Sequence, residues 1–278
     1  MKNEFLSTYT GILILINVIV FLLSLIFLNI YGETFLKLFA IVPNLFFEGR
    51  IWTAFTSMFL HDAGGSIISI HLLANMISLF FVGTFVERLI GKRRFLIIYL
   101  VSGIFAAIFY ATLSFYFGNS IIGIKLFGSS KMIALGASGA IFGLIGLIAV
   151  LTPKNKIYLI AGPLIALILQ AILGKVFANY SWMSIIDLLV IVYFIFSIYS
   201  IFSFNPKLKK YAFPIEMPFY LLPIFAIVPL VLIGLFVVDL PIGNSAHLGG
   251  LIAGMIYGFY LKKKYPRKTK MISHYFSR

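Results

Sequence analysis

Eight apolar runs, each close to the length that spans a bilayer, constrain this chain more than any other feature. A membrane-crossing helix needs about 20 apolar residues. Runs of that kind occupy 9–30, 66–86, 95–117, 133–151, 157–178, 182–204, 219–238 and 245–261. In lipid the backbone must satisfy its own hydrogen bonds, so such runs are expected as helices. The expectation is an all-α polytopic membrane protein, a single membrane domain over 1–278 with about eight transmembrane helices. Composition agrees, because hydrophobic residues make up 62% and charged residues only 11%, against roughly 25% charged in soluble domains. The absence of cysteine excludes a disulfide framework and thiolate chemistry. The first run is too long for a signal-peptide core and no small-x-small cleavage pattern follows it, so it is read as a retained helix.

A net charge of +14 would suggest nucleic acid on a soluble chain. Here the basic residues lie in short loops between apolar runs, which points to membrane topology and a lipid partner instead. All of the 22 basic residues except Lys37, Arg50, Lys125, Lys131 and Lys175 fall on one side of the predicted spans. That side carries Arg88, the Lys92–Arg94 cluster, Lys207, Lys209, Lys210 and a basic tail over 262–278. The positive-inside rule then puts both termini in the cytoplasm. The start lacks the amphipathic, Arg- and Ser-rich character of a transit peptide, which favours a prokaryotic cell membrane. The stretch 31–65 lies outside. It is partly apolar, rich in aromatics and broken by Pro43, and reads as an external interfacial loop with short amphipathic helices.

Polar groups inside spans are costly and are functional candidates by default. His71 and Asn75 lie four apart in the second run and so share a helix face. Ser138 is near the outer end of the fourth run, and His247 near the outer end of the last. The topology brings all four to a similar depth, although it was set only by loop charges. A serine hydroxyl is a weak nucleophile that needs a base, and an imidazole can supply one near neutral pH. Acyl transfer also needs donors aimed at the developing oxyanion. Asn75, His71 and the backbone N–H groups opening the fourth helix can provide them. Gly136, Gly139, Gly143 and Gly146 flank the serine, and Gly250, Gly254 and Gly258 follow the histidine at helical spacing. Such small-residue faces let helices approach closely in lipid. Asn17 and Gln170 are expected as helix-packing hydrogen bonders, and Asp187 as a snorkelling interfacial carboxylate.

These residues resemble the rhomboid family of intramembrane serine proteases. His71-Leu-Leu-Ala-Asn75 is similar to its H-x-x-x-N, Gly136-Ala-Ser138-Gly139 to its G-x-S-G, and Ala246-His247-Leu-Gly-Gly250 to its last-helix histidine motif. Phe55-Thr-Ser-Met-Phe-Leu-His61 and Gly83-Thr-Phe-Val-Glu87-Arg88 resemble two further family segments. The resemblance implies Ser138 as nucleophile and His247 as general base, a dyad with no acidic third member. It implies an oxyanion hole from His71, Asn75 and the Ser138 N–H, and Phe142 packed on the catalytic imidazole. Gly136, Gly139 and Gly250 would support close packing. Glu87 would brace the external loop, and His61 would be structural or water-binding.

The same resemblance implies a six-helix core. Three apolar runs lie between the serine and histidine helices where one is expected, so a helical hairpin over 157–204 is read as inserted and 219–238 as the fifth core helix. The alternative takes 157–178 as the core helix, with the insertion after it. Trp52-Thr53 stands where the family often has Trp-Arg. No metal or cofactor is implied. The expected activity is endopeptidase cleavage of transmembrane protein substrates near the outer leaflet. The competing readings are an inactive relative that binds membrane helices and a small-solute transporter. Oligomeric state is not readable from the sequence.

Overall fold

The computed structural model describes residues 7–62, 69–177, 180–202, 206–225, 227–228, 231 and 244–275. Its first helix, α1 (Tyr9–Tyr31), opens where the Thr8 side chain accepts from the Gly11 N–H at 3.0 Å and closes at Gly32, whose φ is +57°. Three short helices follow: α2 (Glu33–Phe39), α3 (Pro43–Phe47) and α4 (Thr53–Thr56). The next rod starts with α5 (Ile70–Ser78), capped by the Ser69 hydroxyl. It passes through a π-type bulge at Leu79–Gly83 into α6 (Thr84–Ile90). Gly91, at φ +86°, turns the chain into α7 (Lys92–Phe117). After α8 (Ile121–Phe127) comes α9 (Ser138–Leu151).

Three helical stretches, Tyr9–Tyr31, His71–Ile90 and Lys92–Phe117, are long and apolar enough to cross a membrane by themselves. The α9 helix is shorter, and it is the centre of the molecule. Apart from Ser138 and Phe142, every residue in it is buried. It packs against α7 and against the last long helix, so it has no lipid-facing side along most of its length.

The chain departs from an all-helical reading after α9. The run expected as a helix from 157 begins as β1 (Lys156–Ile160), and helix starts only at α10 (Ala161–Phe177). Next come α11 (Met183–Phe202), α12 (Pro206–Lys209) and β2 (Pro214–Pro218). β1 and β2 pair antiparallel, with Lys156 opposite Pro218 and Ile160 opposite Pro214. Much of the run expected over 219–238 lies outside the described residues, as do the first residues of the one expected over 66–86. The 219 end is described: Phe219 is buried, its N–H donates to the Asn155 carbonyl at 2.8 Å, and its ring meets Phe85 at 5.6 Å. The chain closes with α13 (Asn244–Lys264) and α14 (Pro266–Tyr275).

Packing of α13 on α9 depends on glycine. A Cβ on Gly250 would strike the Gly139 carbonyl, and one on Gly254 would strike the Gly143 carbonyl. The two backbones therefore touch directly. With little hydrophobic drive between helices in lipid, close van der Waals contact of this kind holds the pair together.

Candidate active site

The α9–α13 contact sets the distance between Ser138 and His247. Ser138 is the first residue of α9, and His247 lies just inside α13. With the backbones in glycine contact, His247 Nε2 lies 2.8 Å from Ser138 Oγ. That is hydrogen-bond reach for a base taking a hydroxyl proton. Phe142, one turn beyond the serine, lies flat against the imidazole at 4.2 Å between centroids and 1° between planes. The other ring nitrogen, Nδ1, is buried and has no hydrogen-bond partner among the described residues.

His71 and Asn75 project from α5 into the same cavity, whose volume is about 700 Å³ and whose walls include Ser138, His247, Gly136 and Tyr110. Gly136 has φ +121°, and a Cβ there would come within 2.8 Å of His71 Nε2 and 3.9 Å of Asn75 Nδ2. Glycine is thus required twice, by backbone conformation and by the approach of the two donors. The Asn75 amide also donates to the His71 carbonyl at 2.9 Å, which uses one of its two N–H bonds and leaves the other for the cavity.

The segment leading into Ser138 is held by the 31–62 stretch. Ile41 and Ala134 exchange backbone hydrogen bonds at 3.0 and 2.9 Å, and the Gly136 N–H donates to the Ser57 carbonyl at 2.9 Å. This arrangement fixes the Ser138 backbone from the loop side as well as from the helix side.

Comparison with known proteins matches this sequence to a family. The sequence pattern of the Rhomboid domain matches residues 48–190 and 190–264. The chain belongs to the rhomboid family. Its apolar helices and this membership make it an integral membrane protein. It is 35% identical over 154 residues to rhomboid protease GluP of Bacillus subtilis, covering 54% of this chain and 25% of that protein. It is 37% identical over 139 residues to rhomboid protease AarA of Providencia stuartii, covering 48% of this chain and 46% of that protein. A plant relative, RHOMBOID-like protein 5 of Arabidopsis thaliana, is 34% identical over 113 residues, covering 41% of this chain and 31% of that protein. The chain spans less than half the length of each of these relatives.

Two features of this rhomboid chain differ from what its sequence suggests. Glu87 does not reach the external loop. Its carboxylate accepts from the Tyr9 and Thr10 N–H groups at 2.9 Å each and from the Thr10 hydroxyl at 2.7 Å, so it ties α1 to the end of α6. The loop is braced instead by two residues donating to carbonyls of α2: Trp52 Nε1 to Leu38 at 2.8 Å, and Arg50 Nη1 to Lys37 at 2.7 Å. Arg50 supplies the guanidinium that Thr53 lacks, and only its position two residues before Trp52 hints at this. His61 is buried, with its ring edge-on to His71 at 5.2 Å. Burial, then the neighbouring charge of His71, pulls its pKa from 6.5 to about 3, while a backbone contact at Phe59 works weakly the other way.

Of the remaining polar groups, Asn17 donates to the Leu13 carbonyl at 2.7 Å within its own helix. Asp187 is not isolated at an interface, since it accepts from Gln170 Nε2 at 2.7 Å and so links α11 to α10.

Proposed function

We propose that this protein is an intramembrane serine endopeptidase that cleaves transmembrane segments of other membrane proteins through a Ser138–His247 dyad. The observation that carries the reading is the 2.8 Å contact between His247 Nε2 and Ser138 Oγ in a cavity that also holds His71 and Asn75. In the first step His247 Nε2 takes the hydroxyl proton while Oγ attacks the scissile carbonyl carbon. The negative charge passes to the carbonyl oxygen, where the Ser138 N–H, the free Asn75 N–H and a His71 ring N–H stabilise it. Collapse breaks the C–N bond, and the imidazolium returns its proton to the leaving amine. Water then repeats the sequence on the acyl-serine ester and restores both groups. Such a site needs an unwound segment, so substrates are single-span proteins with small or helix-breaking residues near the cut.

The loop charges support cytoplasmic termini and a cut on the opposite, outer side, and the start without transit-peptide character supports a prokaryotic cell membrane. The strand pairing supports reading α10 and α11 as an inserted hairpin on a six-helix core, because β1 and β2 bring Lys156 opposite Pro218 and leave the 219 segment beside α6 and α9. Neither an inactive helix-binding relative nor a transporter needs a serine and a histidine in hydrogen-bond contact.

The test uses the protein in liposomes with a labelled single-span peptide whose outer half contains an Ala-Gly-rich stretch. Cleavage at one position by the wild type, abolished in Ser138→Ala, is the expected result. Cleavage that survives Ser138→Ala overturns the assignment.

A further inference from the structure

At the end of the bundle opposite the dyad, two cations meet one aromatic ring. The Arg94 guanidinium lies 4.9 Å from the centre of the Tyr265 ring and donates to its hydroxyl at 3.3 Å. Lys264 Nζ lies 5.7 Å from the same ring and donates to the Tyr260 hydroxyl at 2.7 Å. Arg94 and Lys264 are close enough to repel each other. Each uses one hydrogen-bond donation to a tyrosine, so most of the five guanidinium and three ammonium N–H donors remain available.

A second observation concerns the helix start. Lys92, Arg93 and Arg94 form the first turn of α7. The positive end of a helix dipole disfavours cations there and favours an anion. Lys92 turns away to the Ser7 carbonyl, whereas Arg94 points at Tyr265. Among the described residues no carboxylate compensates this charge. Glu87 is buried and committed to α1, and Glu216 pairs with Lys156 at 3.3 Å. Glu33, Glu48 and Asp62 belong to the 31–62 stretch at the dyad end, and Asp187 is bonded to Gln170. The cluster sits where the apolar parts of two helices stop: Phe95 and Leu261 are buried just inside it, while Arg94 and Lys264 are exposed. Tyrosines and basic side chains at such a boundary face lipid headgroups.

We propose that Arg94 and Lys264, sharing the Tyr265 ring, bind the phosphate of an anionic phospholipid. The guanidinium fork matches phosphate oxygens, and the ammonium adds a point charge. A bound lipid at this position staples the start of α7 to the end of α13, the two helices that flank α9. The proposal is independent of the protease reading, and its readout is lipid retention rather than cleavage.

The experiment measures lipid retained by the purified full-length protein in detergent, by native mass spectrometry, with phosphatidylglycerol, phosphatidylcholine or inorganic phosphate added. The wild type is expected to retain phosphatidylglycerol in preference to phosphatidylcholine, and millimolar phosphate should not displace it. The pair Arg94→Gln with Lys264→Gln should bind roughly thirty-fold more weakly, from the loss of two headgroup contacts. The pair Lys262→Gln with Arg267→Gln removes the same net charge away from the ring and should weaken binding far less than the first pair, because neither side chain touches the Tyr265 ring. Equal weakening in both pairs overturns the site in favour of diffuse attraction. Equal retention of both lipids, or displacement by phosphate, overturns the lipid assignment. Melting curves of both pairs show that loss of binding is not loss of fold.

Discussion

The imidazole of His247 lies on the ring of Phe142, 4.2 Å between centroids and 1° from parallel, while its Nε2 points at Ser138. In a serine triad a carboxylate orients the base through its other nitrogen. Here Nδ1 has no hydrogen-bond partner among the described residues, and the ring is held by its face instead. Orientation in this site is a packing effect, so packing substitutions should read out as kinetics.

Phe142→Ala should therefore lower kcat more than it raises KM. A stacked aromatic pair contributes about 0.5–1.5 kcal/mol, which corresponds to a loss of roughly two- to ten-fold in rate. Phe142→Tyr keeps the stacking surface and should retain most of the rate. Steady-state cleavage of a peptide substrate by the three proteins measures this, and an unchanged kcat in Phe142→Ala would remove the ring from the mechanism.

Glu87 makes the opposite kind of contribution. It accepts three hydrogen bonds from the start of α1, far from the dyad. Hydrogen bonds to a charged group contribute about 1.5–3 kcal/mol. Glu87→Ala should lower the melting midpoint in detergent clearly, and Glu87→Gln should lower it less. At a temperature where the variants remain folded, serine labelling should be close to wild type in both. Loss of labelling without loss of stability would show that the contact serves the site directly.

His61 gives a pH dependence with a definite sign. Its folded pKa lies near 3 and its ordinary value is 6.5, so between those values the unfolded chain binds the extra proton. Stability from this group is complete above 6.5 and falls as pH drops toward 3, by about 1.4 kcal/mol per pH unit across that window. His61→Phe should flatten the fall in melting midpoint between pH 6.5 and 4. Parallel curves for wild type and variant would place the acid sensitivity elsewhere.

The α10–α11 hairpin should be separable from the catalytic core. β1 and β2 bring its two ends together, and α10 and α11 pack chiefly on each other and on the 206–218 segment. A deletion of 161–213, with a two-residue turn joining the strands, is expected to leave a folded protein with an intact serine. A deleted protein that folds but no longer labels would assign the hairpin to the active site.

The residues of the candidate site stood out in the sequence because their types are expensive in a membrane. A serine, two histidines and an asparagine in apolar runs need a reason, and loop charge alone put them at one depth. Helices such as Tyr9–Tyr31 and Lys92–Phe117 were legible from length. What sequence did not reveal depends on contacts between distant segments. Nothing local marks Glu87 as a partner for Thr10, which lies in another helix. The apolar Lys156–Ile160 stretch could be strand or helix until its partner at 214–218 was seen, since a short apolar run carries no periodicity that separates the two. Pro163 is the local signal for the change, because proline suits the first turn of a helix and so marks a start near 161.

The central claim, that His247 activates Ser138, is tested most directly by covalent labelling of the purified protein with a fluorophosphonate probe. The measurement compares wild type with Ser138→Ala and His247→Ala, each checked for fold by its melting curve. The account predicts labelling of the wild type at Ser138 and loss of labelling in both variants. A well-folded wild type that does not label, or a His247→Ala variant that labels at the wild-type rate, would contradict it.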